Sequence, residues 1–390
     1  MSRTIRILAG TGLLAIAAVA AQAQQAPSGG SATYWMSAET SSGMSTMGQG
    51  GGAYAHNLTL QLGTGRRAAG EPSAEHLPPA TLKAGPALPL VSPVRAASSG
   101  PQSPYNYAGE KPKGRMLFYW GCGERARPGQ PVVVDFASLS AGKVPPAFAQ
   151  AALKAMNPPS AANNASYGEW PNNKSKSRVP AGGSLVGDHV VRGNYTPEIK
   201  FALAPGQDFL APVSLIAQNA AASGSVPLAW KPIAASRGWF VSTMGAAQNG
   251  DMIMWTSSEK QAAAMMMDYL APDEIARLVA QKVLLPGTAA SCTVPQEVAK
   301  AAPQSMLSMV AFGPEANFSF PARPAKAGAS WKPEWAAKLR TKSTYMGMLG
   351  MDMAAMMNGG DDASDGDDEV RRPETKKEKL RRGLGRLLGN

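Results

Sequence analysis

Short apolar alternations, separated by Gly, Pro, Asn and Ser, run along this chain and predict strands more often than helices. Residues 32–38 (ATYWMSA) read as a strand, and residues 56–62 place Leu58, Leu60 and Leu62 on one face of a second. Residues 115–121 (RMLFYWG) and 131–137 (PVVVDFA) are the clearest strands of the first half, joined by the turn Arg127, Pro128, Gly129, Gln130. A short helix is expected over 146–156, opened by Pro145 and Pro146 and stopped by Pro158 and Pro159. Residues 64–112 and 157–185 read as irregular connection, apart from a short extended piece at 88–91.

The second half is more regular. Residues 198–203 and 212–218 read as strands, and Val226, Leu228 and Trp230 alternate up to Pro232. Residues 238–242 open the next strand, Asn249 and Gly250 mark a turn, and 252–257 return. Residues 272–283 predict a helix: Pro272, Asp273 and Glu274 suit its first turn, and Ile275, Leu278, Val279 and Val283 form its apolar stripe. Strands resume at 306–312 and 317–320.

Composition supports the same class. The chain holds 41 Gly and 32 Pro, which favour turns and short strands over long helices, and 44% hydrophobic residues, enough for a substantial core. The expected fold is mainly β, with two β-rich units at 32–200 and 201–325. A Met-rich segment at 326–360 follows, then a flexible tail at 361–390, acidic first and basic after.

The N-terminus changes the picture of where such a fold resides. Arg3 and Arg6 precede an apolar stretch over 7–19, which leads to Ala21, Gln22 and Ala23. Charged start, apolar middle and small-residue exit define a signal peptide over 1–23, with a linker at 24–31 and a mature chain from about Gln24. The apolar part is shorter than the roughly 20 residues a membrane-spanning helix needs, and no later run reads as transmembrane. The expected location is the periplasm or the extracellular space. Cys122 and Cys292 are the two cysteines, and an oxidising compartment pairs them in a disulfide.

The formal net charge is +11. The tail balances its own charge, so the excess sits on the body, where it would attract anionic envelope polymers. Export removes nucleic acid from the field of partners. Leu380, Leu384, Leu387 and Leu388 share one helical face among Lys and Arg, a pattern suited to an anionic membrane surface.

A resemblance enters at residues 226–259. Val226, Leu228, Trp230 and Pro232, followed by Gly238, Trp239 and Val241, resemble strands B and C of a fibronectin type III domain. The resemblance implies a β-sandwich in which a strand-B tryptophan packs under a strand-C aromatic. It brings no active site, and implies a binding or spacing role. Trp239 stands where that family usually has tyrosine, and the helix at 272–283 interrupts the pattern. As a whole the chain is similar in character to exported proteins of Gram-negative bacteria.

Three segments share the pattern W-x-[SC]-x-E: Trp35 with Glu39, Trp120 with Glu124, and Trp255 with Glu259. A recurring strand-end device accounts for this, with Trp in the core and Glu at the edge; so does a diverged repeat. A carbohydrate site is the chemical alternative, since glycoside hydrolysis takes two carboxylates at a set separation and a Trp face stacks on sugar rings. His56, His76 and His189 are widely spaced, and no G-x-S-x-G, H-E-x-x-H or C-x-x-C motif accompanies them. No cofactor is predicted from motifs. Met346, Met348, Met351, Met353, Met356 and Met357 crowd one segment, and their thioethers suit Cu(I). The expected role is non-enzymatic: binding or scaffolding at the cell envelope through a polymer, membrane-surface or protein partner. Carbohydrate binding or processing and copper handling are the alternatives.

Overall fold

In the computed structural model the described residues are 32–46, 52–93, 114–136, 153–154, 156–175, 177–261, 268–324 and 331–351. They are mainly β, as the alternations and turn residues require. The strands are β1 (Ala32–Gly43), β2 (Tyr54–Thr64), β3 (Ala74–Leu77), β4 (Leu88–Leu90), β5 (Arg115–Trp120) and β6 (Val132–Asp135). Then follow β7 (Ser166–Trp170), β8 (Gly187–Gly193), β9 (Thr196–Leu203), β10 (Leu215–Ala217), β11 (Val226–Trp230) and β12 (Gly238–Ala246). The last are β13 (Met252–Thr256), β14 (Leu285–Pro286), β15 (Ser291–Val294), β16 (Met306–Phe320) and β17 (Trp335–Met348). Two α-helices are described, α1 (Pro272–Ala280) and α2 (Gln296–Ala301).

One sheet dominates, with strand order β6-β5-β13-β12-β16-β17-β1-β2-β7 and β14 added beside β12. β1 runs parallel to β17, while β17 is antiparallel to β16 and β1 to β2. Strands from 32–200 and from 201–325 are therefore neighbours in one sheet, and the boundary expected near residue 200 does not separate two sheets. The segment 326–360, expected to be a flexible Met-rich stretch, instead supplies β17 at the sheet's centre. Its local pattern conceals this, because Lys338, Arg340 and Lys342 read as surface residues and the inward positions include Ala337, Thr341 and Ser343. The helix expected over 146–156 and the tail at 361–390 fall largely or wholly outside the described residues.

Two small sheets pack side by side on the inner face of the large one. The first, β4-β3-β8-β9, lays Leu88, Val191, Ile199 and Leu203 against Tyr34, Met36, Leu60, Leu62 and Leu339. The second, β10-β11-β15, lays Leu228, Trp230 and Val294 against Trp239, Val241, Trp255 and Met309. β11 and β12 thus lie in opposite sheets, with the Trp230 and Trp239 rings 5.2 Å apart, the local contact the fibronectin-like pattern implies. The sheet around β12 is completed by β1, β2, β5, β6, β7 and β17, which lie outside 201–325. The Cys122–Cys292 disulfide joins the segment after β5 to β15, and so ties an edge of the large sheet to the second small one.

The outer face is organised differently. Helix α1 covers part of it, burying Ile275 and Leu278 against Phe240, Val310 and Phe312 at roughly 1.5–3 kcal/mol for each fully buried side chain. Gly238 permits the approach, since a Cβ there would stand 3.1 Å from Ile275 Cγ2 and 3.3 Å from Leu284 Cδ1. A bulge in β16 between Phe312 and Glu315 shifts its register on β17. Before the bulge Leu307, Met309 and Ala311 face inward; after it Ala316 and Phe318 do. Both Phe312 and Glu315 therefore face outward, and Glu315 is brought opposite Arg340.

Candidate binding face on the central strands

Strict alternation along β17 sends Leu339, Tyr345 and their odd-numbered neighbours inward and Lys338, Arg340 and Lys342 outward. β1 places Trp35, Ser37 and Glu39 beside them, because its register pairs Trp35 with Lys338, Ser37 with Arg340 and Glu39 with Lys342. Although they face outward, the three cations are buried, at 5%, 7% and 8% exposure. Buried charges are costly unless each finds a partner.

Two of the three find a carboxylate. Lys338 Nζ donates to Glu315 Oε1, with both side chains almost fully covered. Lys342 Nζ lies 3.3 Å from Glu39 Oε2, and Thr344 Oγ1 donates to Glu39 Oε1 at 2.7 Å. Arg340 has no carboxylate in ion-pair range among the described residues. Its Nε donates to Ser37 Oγ at 2.7 Å and its Nη1 approaches Met156 Sδ at 3.8 Å. Aromatic faces complete its surroundings: its Cζ is 5.0 Å from the centre of the Trp35 ring and 4.3 Å from that of Tyr269. Lys338 Nζ shares Trp35 at 5.1 Å, and Lys342 Nζ shares Tyr269 at 4.6 Å.

Burial is the main electrostatic force here. It lowers the Lys338 ammonium below its usual value, against the pull of Glu315, and it lowers the Arg340 guanidinium as well. It raises the Tyr269 phenol well above the usual range, so Tyr269 is a neutral cover. Three buried polar atoms at this face have no hydrogen-bond partner among the described residues: Trp35 Nε1, Glu315 Oε2 and Asn317 Oδ1. Glu315 and Asp268 act on Arg340 only at longer range, so its guanidinium is the one cation of the three without a carboxylate in ion-pair contact among the described residues.

The three Trp/Glu segments do not converge. β1 stands four strand positions from β13, about 19 Å at the usual spacing, so Glu39 is remote from Glu259. Trp120 and Trp255 are near each other, because β5 and β13 pair in parallel with Trp120 beside Thr256. Trp255 is fully buried and donates Nε1–H to Gly121 O, so no sugar ring reaches its face. Trp120 stacks on Phe118, Glu124 is exposed, and Glu259 pairs with Arg127 at 2.6 Å. Met346 and Met348 lie half-buried on the outer face of β17 and Met351 follows; Met353, Met356 and Met357 fall outside the described residues.

Sequence spacing concealed a histidine arrangement. Tyr34 Oη lies 2.7 Å from His76 Nδ1, His76 Nε2 lies 2.9 Å from His189 Nδ1, and His189 Nε2 lies 2.7 Å from Leu185 O. The carbonyl at the end assigns the protons: each group donates to the next, and both imidazoles are neutral. All three side chains are buried within the first small sheet's core. Burial pushes Tyr34 well above its ordinary value and His76 well below its own, and lowers His189. The chain is closed, each donor being matched, and it ties β1 to β3 and β8. His56 stays apart, stacked on Phe209 at 3.9 Å.

Comparison with family models, with curated proteins and with solved structures finds no match.

Proposed function

We propose that the protein is an exported, non-enzymatic binding protein of the cell envelope, and that its ligand presents an acidic group to Arg340. The observation that carries this reading is the buried Arg340 guanidinium, held between Trp35 and Tyr269 with no carboxylate in ion-pair range among the described residues. A carboxylate, sulfate or phosphate accepts two parallel hydrogen bonds from such a fork and balances its charge. The small exposed area fits a single acidic group on a polymer better than a broad platform. Export is supported by the pattern at 1–23 and by the Cys122–Cys292 disulfide, which suits an oxidising compartment.

The test is retention of the mature protein on immobilised alginate and heparin against neutral dextran. Wild type is expected to bind an acidic polymer in a salt-sensitive way. Arg340→Gln is expected to lose roughly tenfold or more, the scale of a hydrogen bond to a charged group. Equal retention on dextran, or undiminished binding by Arg340→Gln, would overturn the reading.

A further inference from the structure

At the other end of the outer face lies an arrangement that register alone reveals. Met254 on β13 pairs with Met244 on β12, Met244 pairs with Met306 on β16, and Met306 pairs with Met348 on β17. Directly paired residues of antiparallel strands point to the same side. Four thioether side chains therefore form one row across four adjacent strands. Met346 and Met252, two residues before Met348 and Met254, face the same way, and Met252 pairs with Met116 on β5.

The inner face directly behind the row is built from other residues. Ile253, Leu307 and Leu349 are buried there, each next in sequence to a methionine of the row. The outer positions 244, 254, 306 and 348 carry only Met. None of these four belongs to the buried core, and Met306 is 37% exposed. Simple packing would be served as well by Leu or Ile, as it is on the inner side. A polarizable sulfur at every outer position is a chemical difference, not a volumetric one.

We infer that Met244, Met306 and Met348 bind one Cu(I) ion, with Met306 at the centre and Met254 and Met346 flanking. Adjacent strands lie about 4.7–4.9 Å apart, and Met has three rotatable side-chain bonds, so three sulfurs from neighbouring strands can meet on one ion. Thioethers are soft donors that select Cu(I) over harder divalent ions. No group of three His, Cys, Asp or Glu suited to a metal exists among the described residues, so nothing there offers Zn²⁺ a competing site. This inference stands on sheet register and is independent of Arg340.

The experiment is calorimetric titration of the mature full chain with Ag(I), a redox-inert stand-in, and anaerobic competition for Cu(I) against a chromophoric chelator. One ion per chain is expected, with no response to Zn²⁺. The combined variant Met244→Leu, Met306→Leu, Met348→Leu keeps side-chain volume and apolarity. It is expected to lose at least about tenfold in affinity, the scale on which disturbed metal surroundings act. The variant Met353→Leu, Met356→Leu, Met357→Leu is expected to bind as wild type. If the triple row variant fails to fold, Met306→Leu alone, at the most open position, carries the test with the same direction of change. No Ag(I) uptake by wild type, unchanged affinity in the row variants, or loss in the 353/356/357 variant would each overturn the proposal.

Discussion

Two buried polar groups in this molecule are handled in opposite ways. The Tyr34–His76–His189 chain uses three neutral groups, ends on the Leu185 carbonyl, and leaves none of its donors unmatched. The Lys338–Arg340–Lys342 cluster is built from ionisable side chains, and among the described residues it places a carboxylate in ion-pair range of only two of the three and leaves Trp35 Nε1 without a hydrogen-bond partner. A closed neutral chain needs nothing further from its surroundings. A cluster whose guanidinium has no carboxylate in ion-pair contact can gain from an added anion. That contrast separates a device that holds the fold from the place proposed to take a ligand.

The sharpest way to break the comparison is to remove one partner of a balanced pair. Glu315→Gln strands the buried Lys338 ammonium and is expected to destabilise by about 3–5 kcal/mol in denaturant unfolding. A change below about 1 kcal/mol would mean that water already serves Lys338.

The neutral chain is tested by pH. An unfolded imidazole titrates near 6.5, whereas burial depresses His76 and His189 in the fold. As pH falls through about 6.5 the unfolded state takes up protons first, so the stabilising contribution is present above that pH and is lost below it. From about pH 7.5 to about pH 5.5 the loss is expected to reach about 2 kcal/mol, His56 adding in the same direction. His189→Gln should flatten the slope. A pH-independent stability in wild type would show that both imidazoles titrate normally.

The smallest stability effect is expected at Arg340. Replacing a buried charge that has no carboxylate in ion-pair contact by an apolar group of similar length relieves its desolvation, so Arg340→Met should lie within about 1 kcal/mol of wild type or above it. Combined with lost binding to acidic polymer, that result would separate the binding role from a structural one. Strong destabilisation by Arg340→Met would instead place Arg340 with the structural groups.

Much of the fold was legible in the sequence because it rests on local signals. Alternation located β1, β2, β5, β6, β11, β12 and β13, and Pro272 with the Ile275/Leu278 stripe located α1. The strands over 306–312 and 317–320 proved to be one strand bent by a bulge. β17 escaped because Lys338, Arg340 and Lys342 read as surface residues, and its inner positions include small Ala336 and Ala337. β3, β7 and β8 escaped inside Gly-, Pro- and Asn-rich stretches that resemble loop. The binding face was half visible: Trp35 and Glu39 were singled out, but for a pattern shared with two segments that lie elsewhere. Its cations, the Tyr–His–His chain and the methionine row depend on register between strands far apart in sequence, which no local window contains.

The parallel pairing of β1 with β17 also sets the order in which the molecule can assemble. Ala32 is matched to Trp335 and Gly43 to Met346, so the first described strand waits for the last. A chain made from its N-terminus can form the β1–β2 hairpin early, but one edge of β1 stays unpaired until residues 335–348 exist. Such distant contacts slow folding, and an open strand edge invites pairing with other chains in the interval. Closure of the sheet therefore waits for residues 335–348, and a chain ending before residue 335 would leave that edge of β1 open.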